Sequence, residues 1–222
     1  TNLSFWGASA SSALAIGTTN GVAYCIEGHS GLIAWTTNLG QALLAKPIFR
    51  SNQIIFAADD GSLAALDAAT GNLSWSTNTG CVPNGFVAVL DDRIFISSVD
   101  RLSCLSLGDR TLMWQSPLSQ ERIANADYVP EYTIIIQSIK YAFSPDGCIA
   151  TMGRANPYFG LEIYNTVSGQ RLFRHRFKQK GLSVAYLKDT LFFTTHGGEL
   201  FALDTRHSYT LRTIDAAHNI KL

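Results

Sequence analysis

The chain has 222 residues, 46% hydrophobic and 11% aromatic, with only 15% charged, a composition that excludes a chain staying disordered along its length. Seventeen basic and seventeen acidic residues leave no formal charge, which excludes the whole-molecule field that gathers nucleic acid or an anionic membrane. No run of eighteen apolar residues exists to form a transmembrane helix.

Residues 1–26 are uncharged but broken by Ser, Thr, Asn and Gly, so they lack the basic start and continuous apolar run of an intact signal peptide. Within them, Leu3 to Gly7 stands where a first repeat unit needs its inner strand. Residues 25–35 read Cys-Ile-Glu-Gly-His-Ser-Gly-Leu-Ile-Ala-Trp, and residues 65–75 read Ala-Leu-Asp-Ala-Ala-Thr-Gly-Asn-Leu-Ser-Trp. A small residue, an acid, a hydroxyl, a glycine and a tryptophan fall at matching offsets, which makes this an internal repeat. The second unit shows its parts most clearly. Pro47-Ile48-Phe49 opens a first strand, and Gln53 to Ala57 is a second, rich in β-formers. Asp59-Asp60-Gly61 turns the chain into a third strand at Leu63 to Leu66. Thr70-Gly71 turns it again into an alternating fourth strand, Leu73 to Ser76.

The pattern recurs at 104–114, ending in Trp114, at 163–173, ending in Phe173, and at 202–212, where Arg212 takes the slot. The slot residues 35, 75, 114, 173 and 212 are 40, 39, 59 and 39 residues apart, so about twenty residues are inserted before or within the fourth unit. Gly21, Gly61, Gly160 and Gly198 are expected at the hairpin turn between second and third strands, where a positive φ is needed.

Four short strands every forty residues predict an all-β fold, a β-propeller of about five four-stranded blades. One twisted sheet has two apolar faces and no partner, and stacking blades covers both. The reading is a single propeller domain over 1–222, with blades near 8–40, 44–80, 84–118, 130–178 and 181–215. Trp35, Trp75 and Trp114 are expected on outer strands as docking residues between blades, with Trp75 largely buried. Asp67, Gly71 and Gly31 are expected as further structural residues of this docking repeat. Residues 213–222 form an overhang, and closure is expected to be imperfect or supplied by material outside the sequence.

The candidate chemistry is sparse. Glu27, Asp67 and Asp204 keep fixed places in the repeat, which suits carboxylates that accept backbone N–H groups in turns rather than catalytic ones. His29, His175, His196, His207 and His218 have no metal-type spacing, and Cys25, Cys81, Cys104 and Cys148 form no C-x-x-C pair. Cys25 and Cys104 hold equivalent third-strand positions and read as core residues. No catalytic residue, cofactor site or metal ligand is expected. Low charge and many hydroxyl residues lean towards an extracytoplasmic location, whether periplasmic, lumenal or secreted.

Two surface features remain. Residues 121–222 hold twelve basic and nine acidic residues, against five and eight in 1–120. In an outer strand Arg174, Arg176 and Lys178 share one face and Phe173, His175 and Phe177 the other. The basic face reads either as protection of a strand edge or as a ridge for an acidic partner. Tyr128 and Tyr132 in the insertion, and Tyr158-Phe159 after Asn156-Pro157, read on loops either as interface aromatics or as caps on the exposed end of the core.

The stretch Ala65-x-Asp67-x-x-Thr70-Gly71-x-x-x-Trp75 resembles the tryptophan-docking repeat of the pyrroloquinoline-quinone-like, or quinoprotein-like, propeller superfamily. Ser144-Pro145-Asp146-Gly147 before Cys148-Ile149-Ala150 looks more like a WD-repeat blade. The resemblance implies a ring that in most members has seven or eight blades, so these five are either a compact ring of their own or part of a longer chain. It also implies a choice of functions. Quinone-dependent dehydrogenases of the superfamily carry adjacent cysteines and a calcium set of Glu, Asn and Asp, and this sequence has no Cys-Cys pair. The expectation is therefore a non-catalytic propeller that binds other proteins, as an assembly scaffold subunit or a domain of a larger protein. An accessory propeller of a multidomain enzyme, such as an acyl-activating enzyme, is the alternative. A quinone-dependent or hydrolytic enzyme ranks third.

Overall fold

Runs of β-branched and aromatic residues, cut every five to eight residues by Gly, Asn or Asp, fold each unit into a meander of four strands. The structure is a computed structural model that describes residues 5–10, 12–83, 86–98, 101–118, 140–143, 148–155, 158–177, 181–205 and 209–214. The described residues form an all-β fold of five four-stranded antiparallel sheets, a β-propeller in class.

The first sheet holds β1 (Phe5–Ala10), β2 (Ala13–Thr18), β3 (Val22–Glu27) and β4 (Ile33–Asn38). The second holds β5 (Ile48–Arg50), β6 (Gln53–Ala57), β7 (Ser62–Asp67) and β8 (Leu73–Asn78). The third is β9 (Val87–Leu90), β10 (Arg93–Ser97), β11 (Arg101–Ser106) and β12 (Leu112–Pro117). The fourth is β13 (Lys140–Phe143), β14 (Cys148–Ala155), β15 (Tyr158–Asn165) and β16 (Arg171–Phe177). The fifth is β17 (Gly181–Leu187), β18 (Thr190–Thr195), β19 (Leu200–Asp204) and β20 (Thr210–Ile214). In every sheet each strand pairs only with its neighbours in sequence. The inserted residues lie between Pro117 and Lys140.

The slot residues share one register. Trp35 pairs with Cys25, Trp75 with Ala65, Phe173 with Ile163 and Arg212 with Ala202. A bulge precedes Trp35, Trp75 and Phe173 on β4, β8 and β16, where two residues face one across the ladder. Gly21, Gly61 and Gly198 have positive φ at the expected hairpin turns. Gly160 does not: it lies inside β15, opposite Gly153. The reason is length. β14 and β15 have eight residues each, against five or six in β6 and β7, so the hairpin extends past the place where the other units turn.

The chain divides into two compact units, Thr1–Gln115 and Ser116–Leu222. In the first, one apolar cluster joins the first two sheets through Ala15, Cys25, Trp35, Ile54, Phe56 and Leu66. A second joins the next pair through Ala57, Leu63, Cys81, Val87, Ile94 and Leu105. Alternation along β6 sends Ile54 and Phe56 to one cluster and Ala57 to the other, so a central sheet buries both faces. In the second unit Ala150, Leu161, Ile163, Leu191, Phe193 and Leu203 form the core between the fourth and fifth sheets.

Blade joints and candidate interaction residues

The turn between third and fourth strands is built alike in the first four sheets. Gly31 N–H donates to Glu27, Gly71 to Asp67, Arg110 to Ser106 and Gly169 to Asn165. The second sheet's turn is the most complete. The Asp67 carboxylate accepts the Thr70 amide at 2.8 Å, the Thr70 hydroxyl at 2.9 Å, the Ala69 amide at 3.1 Å and the Asn52 amide group at 2.6 Å. The Thr70 donors come first in holding its carboxyl below the usual range. Asn165 repeats the arrangement without charge, its oxygen accepting the Val167 and Ser168 amides at 2.9 Å. In the third sheet the acid moves to Asp109, whose carboxylate is held down to about 2 by the Ser106 and Thr111 hydroxyls and the Thr111 amide. These carboxylates are committed to turns.

Trp35 closes the first joint. Its indole N–H donates to the Ala68 carbonyl at 3.0 Å, and the Thr37 hydroxyl donates to the Gly71 carbonyl at 2.7 Å. The ring lies so close to Gly71 that a Cβ there would stand 2.6 Å from Cδ2. Gly71 also has φ +72°, so both sterics and backbone require glycine. Trp35 is 8% exposed. The second joint differs. Arg110, with φ 66°, occupies the place of Gly71. A side chain there blocks the close approach of an indole, and its guanidinium stacks over Trp75 at 4.7 Å. The Trp75 N–H turns to Gln53 Oε1 at 3.2 Å, and the ring stays half-buried rather than largely buried as expected. Trp114 is also half-buried, with its ring 5.9 Å from Phe95.

On β16 the aromatic side chains stack along one face. Phe173 stacks on Tyr209 at 5.3 Å and Phe177 on Phe193 at 5.5 Å, with His175 between them. Burial lowers the His175 pKa. Arg174 lies across from Glu162 on β15. Glu162 is 5% exposed and is a residue that sequence reasoning missed. Arg171 stands 3.2 Å from its carboxylate, Arg174 3.8 Å, and the Tyr164 hydroxyl donates to it at 2.8 Å. Burial, then the Glu162 charge, pushes the Tyr164 hydroxyl pKa up. Two of the basic residues therefore face a buried carboxylate. The available signal was an acid inside the apolar run Leu161-Glu162-Ile163-Tyr164, with arginines on the next strand. Arg176 is exposed and also has partners.

Lys178, Tyr128 and Tyr132 lie outside the described residues, as do His207, His218 and the segment Ser144 to Gly147. Tyr158 and Phe159 open β15. Cys25, Cys81 and Cys104 are buried free thiols, and burial pushes Cys104 up to about 12. Among the described residues no group of three His, Cys, Asp or Glu side chains could hold a metal ion.

A family model described as outer membrane protein assembly factor BamB matches residues 3–206. The chain belongs to this BamB family. It is thereby a PQQ-like repeat propeller. Curated BamB proteins of Yersinia pestis and Moranella endobia (strain PCIT) are 22% and 26% identical over 62% and 58% of this chain. The chain spans only 37% and 36% of their lengths. The crystal structure of BamB from Moraxella catarrhalis matches with a TM-score of 0.68 at 15% identity, over 94% of this chain and 62% of that one. A europium-containing methanol dehydrogenase matches with a TM-score of 0.66 at 13% identity, over 95% of this chain and 53% of that one. Saccharomyces cerevisiae Sqt1 gives 0.68 at 12%, over 91% and 57%. At these identities the likeness to solved structures is one of fold, shared by BamB and by enzymes alike.

Proposed function

We propose that the chain is a non-catalytic propeller that binds other proteins in outer membrane protein assembly, as a scaffold subunit or as part of a longer scaffold polypeptide. The observation that carries this reading is the family match over residues 3–206. The turns support it, because Asp67 and Asp109 are spent on backbone and hydroxyl donors, a structural use of the carboxylates. An assembly role at the outer membrane also fits the extracytoplasmic lean of the composition. The test is affinity capture of the tagged full chain from a detergent-solubilised envelope of its source, with reciprocal capture by the protein recovered. The expected result is a defined complex containing outer membrane assembly proteins. A chain that elutes alone in both directions, or that turns over an alcohol with added quinone, sinks the reading.

A further inference from the structure

Among the described residues nine large apolar side chains are exposed, and eight sit at the same end of their own sheets. That end carries the turns between first and second strands and between third and fourth. The two kinds of turn are tied together within each sheet of the first unit: Gly28 N–H donates to Ser12, Ala68 to Asn52 and Leu107 to Asp92. At this end of the first unit the exposed residues are Leu32, Ile33, Leu73, Leu112 and Met113, with Leu73 55% and Leu112 53% exposed. Ile33, Leu73 and Leu112 each follow their turn by the same two residues, at the start of the outer strand. In β4 and β8 they pair with Ile26 and Leu66 just before the bulge. The ninth, Val82, belongs to the other end, beside the Gly61 turn that Thr79 and Cys81 pack against.

The same end of the first unit is acidic. Glu27, Asp67 and Asp109 stand in its three outer turns, and none forms an ion pair with Arg or Lys among the described residues. The cations nearby are engaged: Arg93 pairs with Asp92 at 3.5 Å, Arg50 donates to the Asp91 carbonyl, and Arg110 lies over Trp75. Exposed apolar residues concentrated at one end mark a contact surface. Fixed negative charge interleaved with them selects the sign of what docks.

Resting on the reading of the chain as a protein-binding propeller, we propose that this end of the first three sheets docks a basic segment of a partner protein, one alternating apolar and Lys or Arg side chains. The apolar groups would cover Ile33, Leu73 and Leu112, and the cations would sit in the field of the Glu27, Asp67 and Asp109 charges while the turn hydrogen bonds stay in place.

The probe is a short fluorescent peptide alternating Leu and Lys, titrated with the full chain by anisotropy, beside a Leu/Glu peptide of equal length. The Leu/Lys peptide binds, and the Leu/Glu peptide binds at least about tenfold more weakly. Leu73→Ser/Leu112→Ser and Glu27→Gln/Asp109→Asn each weaken binding about tenfold, whereas Val82→Ser leaves it unchanged. The amides keep the turn acceptors, as Asn165 does in the fourth sheet. Denaturation midpoints check folding, and Leu32→Ser/Met113→Ser replaces the first pair if it fails to fold. Equal binding of the two peptides, no binding, or unaltered binding in either kind of double variant overturns the proposal. If the capture experiment still yields its complex, only this face is lost; if capture fails too, the protein-binding reading falls with it.

Discussion

Trp35 and Trp75 hold the same slot but different environments, and their truncation is expected to separate them. Trp35→Ala removes a buried ring and its hydrogen bond to Ala68, and costs ~3–5 kcal/mol. Trp75→Ala costs less, because its ring is only partly buried and its N–H bonds within its own sheet to Gln53. Urea midpoints at constant slope measure both, and equal losses would contradict the two-joint picture. Gly71→Ala forces a Cβ into the Trp35 ring at φ +72°, so it lowers the midpoint by more than the ~1 kcal/mol of the backbone effect alone. Asp67 and Asp109 bring a pH dependence. Their folded pKa values are depressed, so the stability they add is present above the unfolded aspartate value. It is lost as pH falls towards about 2, the folded value of Asp109. Stability measured from pH 5 downwards should fall in that window, and Asp109→Asn should flatten the fall. An unchanged acid limb in the variant would show that the turn carboxylate is not linked to folding.

At the scale of the element, β16 shows what a sequence can and cannot disclose. Its alternation was readable, because a strand places every second residue on one face, and Phe173 and Phe177 do pack on the fifth sheet. The destination of Arg174 was not readable. It depends on a neighbour twelve residues away, Glu162, whose burial follows from three-dimensional packing. The same limit applies to Arg110: the repeat places it in the glycine slot, but only geometry shows it stacked on Trp75. The blade pattern was legible because tight turns admit few residue types. The Gly160 turn was misread because two strands lengthened without changing those types. Glu162→Ala removes the carboxylate that Arg171 and Arg174 share, and because those arginines are 40% and 27% exposed the loss should be about 1–3 kcal/mol. Arg174→Met should cost less, since Arg171 stays 3.2 Å from the carboxylate. Matching losses in the two variants, measured by urea denaturation, would mean that the arginines do not share the load.

For the whole molecule, the proposed scaffold role carries an expectation about cofactors. Chelation with EDTA should leave the thermal midpoint of the purified chain unchanged, and added pyrroloquinoline quinone should neither shift it nor quench the tryptophans. A drop of several degrees on chelation, or a rise with quinone, would bring the chain nearer to the dehydrogenases that share its fold. One feature of the architecture reaches beyond binding. Among the described residues every strand pairs only with its neighbours in sequence, and Trp35 finds its acceptor at Ala68, 33 residues along the chain. Contacts are therefore local for an all-β protein, and the loops closed in making them are short. Low contact order predicts fast folding, and it also predicts an order of events. A sheet can form as soon as its own forty or so residues have left the ribosome, and within the first unit each new sheet then finds its predecessor ready as a template. Amide protection acquired during synthesis should appear in the first three sheets in chain order, with the Trp35 joint locking before the Trp75 joint.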